Sequence, residues 1–324
     1  MKLRLCPLWV LAGLFIAAPG ARCQDYPTRP IILIVPFAPG GSVDIVARIA
    51  GQKLAERLGK PVVVENRPGG STLVAASAVA KASPDGYTLM IAPSGTLAIN
   101  ATLYNKLPYD PLRDFAAVAL ITVVPLVLVV NPALPVRSVP DLISLSKEKP
   151  GQLSYASAGA GSSLHLAAEL FKGLTGIELT HVPYKGGAPA MSDVVAGHVS
   201  LMFADTGVAL PQIREGNVRA LGVSSTARLS AAPDIPSIAE AVPGYDAASW
   251  QMVVAPAGTP KEIVAKLRGE IAAVMASPDI RERLAQIGLI AVVSPPPEDV
   301  KRFLKSEITR WGAIVQRAGL AGSE

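Results

Sequence analysis

Two short glycine-rich segments carry the residues best suited to chemistry. The first is Pro36-Phe37-Ala38-Pro39-Gly40-Gly41-Ser42-Val43-Asp44, and the second is Ser157-Ala158-Gly159-Ala160-Gly161-Ser162-Ser163-Leu164-His165. Each follows a short apolar run and precedes apolar residues at near-helical spacing. A strand that passes through a tight glycine turn into a helix gathers free backbone N–H groups and the positive end of a helix dipole at one spot. Such a spot suits an anion. Ser157, Ser162 and Ser163 add hydroxyl donors, a chemistry that fits a carboxylate better than a pyrophosphate. Two such spots in one chain point to a carboxylate ligand held between two domains.

Other chemistries fit less well. The second segment fails the dinucleotide fingerprint where Leu164 replaces the third glycine, and no phosphate-loop string G-x4-G-K-[ST] occurs. The only histidines, His165, His181 and His198, lack metal-ligand spacing. No G-x-S-x-G elbow is present. Ser162 and His165 share one helical turn, a poor geometry for nucleophile and base, and no third acid is placed to support them. A secreted hydrolase is therefore the weakest class. No catalytic residue, cofactor or metal is expected.

The elements that would position these loops alternate along the chain. Apolar runs at 31–35, 62–65, 87–92, 126–130, 153–156, 178–182, 201–204, 218–223 and 249–255 read as strands. Amphipathic stretches at 44–58, 72–81, 140–147, 163–175, 189–196, 260–275, 278–287 and 298–318 read as helices. Strands apolar on both faces with helices between them predict parallel sheets. Thr259-Pro260-Lys261-Glu262, Ser277-Pro278-Asp279 and Ser138-Val139-Pro140-Asp141 read as helix starts capped by the hydroxyl residue. Two apolar β-rich stretches, 120–131 (broken by Pro125) and 249–255, suit strands that cross between domains. The expected layout is a first domain of 24–124 with 250–324 and a second of 125–249, joined by a two-strand hinge.

The N-terminus has a basic start (Lys2, Arg4), an apolar stretch of 11 residues at 8–18, a Pro19-Gly20 break and Ala21-Arg22-Cys23. This reads as a secretory signal peptide, residues 1–23, cut near Cys23/Gln24. The stretch is short for a membrane span, which needs about 20 residues. Arg22 argues against lipidation at Cys23. Both cysteines, Cys6 and Cys23, leave with the leader, so the mature chain has no thiol chemistry. Loss of Lys2, Arg4 and Arg22 leaves 27 basic against 25 acidic residues, a net charge of +2, so nothing argues for nucleic acid. With half the residues hydrophobic but only 5% aromatic, the core must be built from Ala, Val, Leu and Ile.

In order along the mature chain, further pieces accompany the two loops: Tyr26-Pro27-Thr28-Arg29-Pro30-Ile31, Glu65-Asn66-Arg67-Pro68-Gly69-Gly70, Ser83-Pro84-Asp85-Gly86-Tyr87-Thr88-Leu89, Val182-Pro183-Tyr184-Lys185-Gly186-Gly187 and Phe203-Ala204-Asp205. The set resembles the Bug-type extracytoplasmic solute receptors, the substrate-binding proteins of tripartite tricarboxylate transporters. The resemblance implies an α/β, type II periplasmic-binding fold and a periplasmic protein that delivers a small carboxylate to membrane permease subunits. The ligand classes it implies are mono-, di- or tricarboxylates, acidic amino acids and aromatic acids. It implies that the ligand is held by Phe37, Ala38, Gly40 and Gly41 in the first loop and by Ser157, Gly159, Ala160, Gly161 and Ser162 in the second. Ala160 stands where many relatives carry Asn, which removes an amide from the loop. A monomer is expected. An accessory protein that signals to a membrane sensor would use the same residues, and the sequence does not separate the two.

Several side chains keep two readings. Asp44 is expected to orient the first loop, because a carboxylate beside a carboxylate ligand would repel it. His165, near a helix start, would be neutral, either as a ligand donor or as a buried structural residue. Tyr184 and Lys185 lie after a strand, and Lys185 is either a solvated loop residue or a ligand contact. Asp205 either caps the next segment or reaches an amine or hydroxyl of the ligand. Ser94 and Thr96 are placed where they could face the cleft.

Overall fold

The computed structural model describes residues 26–324; the expected leader and both cysteines lie outside the described residues. The chain begins with β1 (Ile31–Val35), α1 (Ser42–Leu58), β2 (Val62–Asn66), α2 (Leu73–Ala80) and β3 (Thr88–Pro93). A π-helical turn at Gly95–Ile99 runs into α3 (Asn100–Leu103), and β4 (Phe115–Val124) follows. After Pro125 come β5 (Leu126–Val130), α4 (Val139–Glu148), β6 (Ser154–Ser157), α5 (Ser163–Thr175), β7 (Thr180–Pro183), α6 (Gly187–Val195), β8 (Leu201–Asp205), α7 (Thr206–Arg214) and β9 (Arg219–Val223). The chain closes with β10 (Ser249–Pro256), α8 (Lys261–Ala276), α9 (Pro278–Gln286), β11 (Ile290–Ala291) and α10 (Pro297–Arg317).

The strands form two sheets with none in common. One has the order β11-β4-β10-β3-β1-β2, and the other β7-β6-β8-β5-β9. The chain leaves the first sheet at Val124 and enters the second at Leu126, so Pro125, which cannot donate to a ladder, breaks the apolar stretch 120–131 into two strands. It returns through β10, whose Ser249 pairs with Val124.

The expectation of parallel sheets needs correction, because both sheets are mixed. β10 is antiparallel to β3 and β4, and β5 is antiparallel to β8 and β9. The reason is the crossing itself. β1, β3 and β4 run towards the junction between the sheets, whereas β5 and β10 each start there and run away from it. The remaining pairs, β1 with β2 and β3 and β6 with β7 and β8, are parallel.

Strands apolar on both faces are buried on both faces. Ile31, Leu33 and Val35 of β1, with Leu89 and Ile91 of β3, pack against α1, α8 and α9 through Val43, Val46, Leu267, Ile271 and Leu284. Their alternates Ile34, Met90 and Ala92 face the other way, into a cluster that includes Leu97, Ile99 and Trp311 and continues through β5 into the second sheet. Period-two alternation thus feeds two cores from one strand.

Three helix starts were expected to be capped, and one is. Ser138 Oγ accepts from the Asp141 amide at 3.2 Å. Thr259 instead donates to the Pro256 carbonyl at 2.8 Å, and Pro260 holds the cap position of α8. Ser277 donates to the Val274 carbonyl at 2.6 Å, which ties α9 to the end of α8. A hydroxyl that finishes the preceding turn is not available to start the next helix.

Candidate functional site

The two glycine loops meet across a cleft between the sheets. Its lining comes from the start of α1 (Gly41, Ser42, Val43), from Ser71 and Thr72, from the second glycine loop (Ala158, Ser162, Ser163), and from Gly187 and Asp205. Ser249 and Gln251 of β10 form part of its floor. The cleft is narrow. The halves touch directly. Ala38 N–H donates to the Lys185 carbonyl at 3.0 Å, and a Cβ on Gly95 would lie 2.8 Å from the Gly161 carbonyl oxygen. On the side of α7, Thr206 Oγ1 donates to the Gly288 carbonyl at 2.9 Å, and Arg214 donates to the Gln286 carbonyl at 3.0 Å.

Helix starts dominate the electrostatics. α1, α6 and α7 all begin at the cleft, at Gly41, Gly186 and Asp205, and none has a side-chain cap. The N–H groups of their first turns lack intrahelical partners. α5 also starts there, with Ser162 Oγ accepting from the His165 amide at 3.2 Å. Among the described residues no lysine or arginine lines the cleft. An anion would be met by amides, hydroxyls and helix dipoles, not by a fixed cation. Two polar atoms of the lining are buried with no partner in hydrogen-bonding geometry, Ser42 Oγ (residue 1% exposed), which is still near enough to Asp205 to lower its pKa, and Gln251 Oε1 (residue 2% exposed). Such orphans cost free energy unless something else satisfies them.

Of the residues expected from sequence, Phe37, Gly41, Ser162 and Asp205 line the cleft. Ala38 and Lys185 meet each other through their backbones, and the Lys185 side chain is exposed. Gly40 stands at φ +86, its N–H donating to Asp44 at 3.0 Å. The remaining expected residues stand behind the lining. Ser94 bonds Ser249 at 2.9 Å and Thr96 bonds Thr72 at 2.9 Å. Ser157 holds its own loop, accepting from the Gly159 amide at 3.1 Å and contacting His181 Nε2 at 2.6 Å. Gly159 accepts from Ser162 Oγ at 2.7 Å, Ala160 is half-buried, and Tyr184 donates to Asp193 at 2.5 Å.

His165 is also set back, 5% exposed and stacked on His181 with ring centroids 4.1 Å apart. Its Nδ1 accepts from the Gly161 amide at 3.2 Å, so the ring shapes the second loop from behind. Burial, then the neighbouring His181 and Lys172, push its pKa down to about 3, which keeps it neutral.

Ser163, expected as a hydroxyl donor, also lines the cleft, whereas sequence reasoning missed Ser42, Ser71, Thr72, Gly187, Ser249 and Gln251. A serine directly after Gly41, and the Gly187 that opens α6, were available signals. Ser71 and Thr72 (φ +47 and +84) and the floor residues depend on tertiary placement.

Asp44 is 4% exposed and accepts from Gly40 N–H at 3.0 Å, Asn66 Nδ2 at 2.9 Å, and Arg48 Nε and Nη2 at 3.0 and 2.9 Å. Burial alone would raise its pKa; hydrogen bonds from Arg48, Gly40 and Asn66, with the Arg48 charge, outweigh burial and hold it below the ordinary carboxylate value. A depressed folded-state pKa adds stability above the unfolded value of about 3.9 that is lost as pH falls through the folded value. Asp44→Ala should therefore cost about 2 kcal/mol at pH 7, on the scale of charged hydrogen bonds. Thermal melts from pH 7 to 3 should show the gap to wild type closing below pH 4. A gap that stays constant would remove Asp44 from the loop's stability.

Three comparisons bear on this geometry. BugT of Bordetella pertussis is 38% identical over 318 residues, which cover 96% of this chain and 97% of that protein. The solved structure of Rpa4515 from R. palustris with adipate superposes with a TM-score of 0.89 at 42% identity, covering 92% of this chain and 99% of that one. MatC (Rpa3494) from Rhodopseudomonas palustris with bound malate gives a TM-score of 0.85 at 34% identity, covering 90% and 100%. Residues 46–320 match the family described as Tripartite tricarboxylate transporter family receptor. With its two mixed α/β sheets and a cleft built from helix starts, the chain belongs to that family of solute-binding receptors.

Proposed function

We propose that the protein captures a small carboxylate between its two halves and delivers it to a tripartite tricarboxylate-type transporter in the membrane. The observation that carries this reading is the convergence of three helix starts without side-chain caps on one cleft that also holds unpartnered buried polar atoms. The bound adipate and malate of the two relatives support the ligand class. In this reading residues 24–124 and 250–324 form one domain and 125–249 the other, hinged at Pro125 and at Ser249. The mature protein acts in the periplasm as a monomer, after removal of residues 1–23, and passes its ligand on unchanged. Among the described residues no helix is long and apolar enough to cross a membrane.

The test is a thermal-shift screen of the mature protein against mono-, di- and tricarboxylates. At a hundred times its dissociation constant a ligand adds about 2.7 kcal/mol, so the melting temperature should rise by about 5 °C or more. Mass spectrometry after incubation should recover the acid intact. No shift with any acid, or a converted product, would contradict the reading.

Closure should be visible in solution as well. Opening the cleft breaks the Ala38–Lys185 and Thr206–Gly288 hydrogen bonds, and a ligand that bridges the halves favours the closed form. Small-angle scattering should give a smaller radius of gyration with saturating acid. Identical curves with a bound acid would remove the hinge.

A further inference from the structure

Asp205 is the one acidic side chain that lines the cleft among the described residues. It ends β8 opposite Leu126, the first residue past the hinge proline, and it stands at the start of α7. The usual employment of an aspartate at that position is to cap its own helix. Asp205 does not do so: α7 has no side-chain cap. Its surroundings are Gly187, whose Cβ would lie 4.0 Å from Oδ2, and Ser42 of the facing helix start. Ser42 Oγ reaches no partner in hydrogen-bonding geometry, and it would lie 3.1 Å from a Cβ on Gly207.

The lining contacts sort into two groups. Ser42, Gly187, Gly207 and Asp205 cluster at the starts of α1, α6 and α7. At the start of α5, a Cβ on Gly159 would meet Ser71 Oγ at 3.1 Å and one on Gly95 would meet Ser162 Cα at 3.6 Å. This second group carries hydroxyls and amides and no acid. It offers a carboxylate donors with no competing acid. At the first group a second carboxylate would face Asp205 with no lysine or arginine to offset the repulsion. Gln251 Oε1 is a second unmet acceptor on the floor. The first group thus sets one acceptor, Asp205, among the uncapped amides of α1, α6 and α7, and a ligand that brings a donor as well as a carboxylate meets both.

Resting on the carboxylate reading above, we infer that Asp205 sets specificity by accepting a hydrogen bond from a ligand's ammonium or hydroxyl group, so that the preferred ligand is a monocarboxylate bearing such a donor rather than a dicarboxylate. Asp205 is the titratable group in the lining, and burial lifts its pKa to about 6 against the opposing influence of Ser42. It is mostly ionised at pH 7.5, which makes it the stronger acceptor for an ammonium or hydroxyl group.

The experiment is calorimetry at pH 7.5 on two matched series. One is succinate, 4-aminobutanoate and 4-hydroxybutanoate; the other is adipate, 6-aminohexanoate and 6-hydroxyhexanoate. In at least one series an amino or hydroxy acid should bind at least tenfold tighter than the dicarboxylate. Asp205→Asn should weaken that acid at least tenfold and leave the dicarboxylate unchanged or tighter. Dicarboxylates that bind wild type tighter than both partners in both series, or an Asp205→Asn variant with unaltered preference, would overturn the role of Asp205 while leaving the carboxylate reading intact. If none of the six acids binds wild type while the thermal-shift screen finds another carboxylate that does, this inference falls and the carboxylate reading stands; if the screen finds none either, both fall. Circular dichroism of the variant separates lost recognition from lost fold.

Discussion

Gly161→Val should weaken ligand binding by at least tenfold, about 1.4 kcal/mol, in a protein that still folds. Gly161 adopts φ +72, and a Cβ there would lie 2.6 Å from both Asn100 Oδ1 and a Leu103 methyl carbon. Two separate costs follow. The left-handed backbone strain, about 1–2 kcal/mol for a side-chain-bearing residue, is present whether the cleft is open or closed and lowers stability alone. The overlap exists only when the halves meet, because Gly161 belongs to the second sheet's half and Asn100 to the first. Asn100 has little room to yield, since its Nδ2 donates to Tyr109 Oη at 3.2 Å within a buried network. The substitution therefore acts against the closed form, and a ligand held by closure loses affinity. Gly173→Ala, in the middle of α5 with nothing within 4 Å of the new Cβ, should leave affinity alone. Calorimetry within a factor of two of wild type for Gly161→Val would show that binding does not depend on the closed contact between the halves.

Glu307→Leu should cost about 3 kcal/mol of folding stability. Glu307 Oε2 accepts from Trp250 Nε1 at 2.6 Å, Trp311 Nε1 at 3.0 Å and Arg310 Nη2 at 3.0 Å. Trp250 belongs to the returning strand β10 and Trp311 to α10, and both indoles are buried. One carboxylate thus ties the C-terminal helix to a hinge strand. Leucine would leave two buried N–H donors without an acceptor, at about 1–3 kcal/mol each. Glu307→Gln keeps an acceptor oxygen and should lose less than half as much. Urea unfolding measures both; a loss under 1 kcal/mol for Glu307→Leu would show that solvent or another group takes over the indoles.

The physics of what was legible in the sequence is local. β1, β5 and α5 have the bounds their apolar runs suggested, because glycines, prolines and polar residues flank them closely. α7 was hidden by Pro211 in its second turn, which reads as a helix breaker and does remove one intrahelical N–H donor. β11 has two residues, too few for any period. The antiparallel direction of β5 and β10 depends on which way the chain enters each sheet, and an apolar run has no direction. At the site, the sequence pointed to two helix starts, and the structure gathers those of α6 and α7 as well. Asp205 was a candidate in sequence, but that it opens a helix, and that it and Gly187 lie beside Ser42, follows only from the fold. Conversely, Ser157, Tyr184 and His165 have the right chemistry and neighbourhood. Their hydrogen bonds to His181, Asp193 and the Gly161 amide turn them to shaping the loops.

The most direct test of capture at the helix starts is amide NMR of the isotope-labelled mature protein, titrated with the acid that gives the largest thermal shift. The largest amide shifts should fall on Gly41, Ser42, Val43, Ser162, Ser163 and Gly187, and they should saturate together with the calorimetric binding curve. Saturable shifts centred on another surface, with these amides unmoved, would contradict the account.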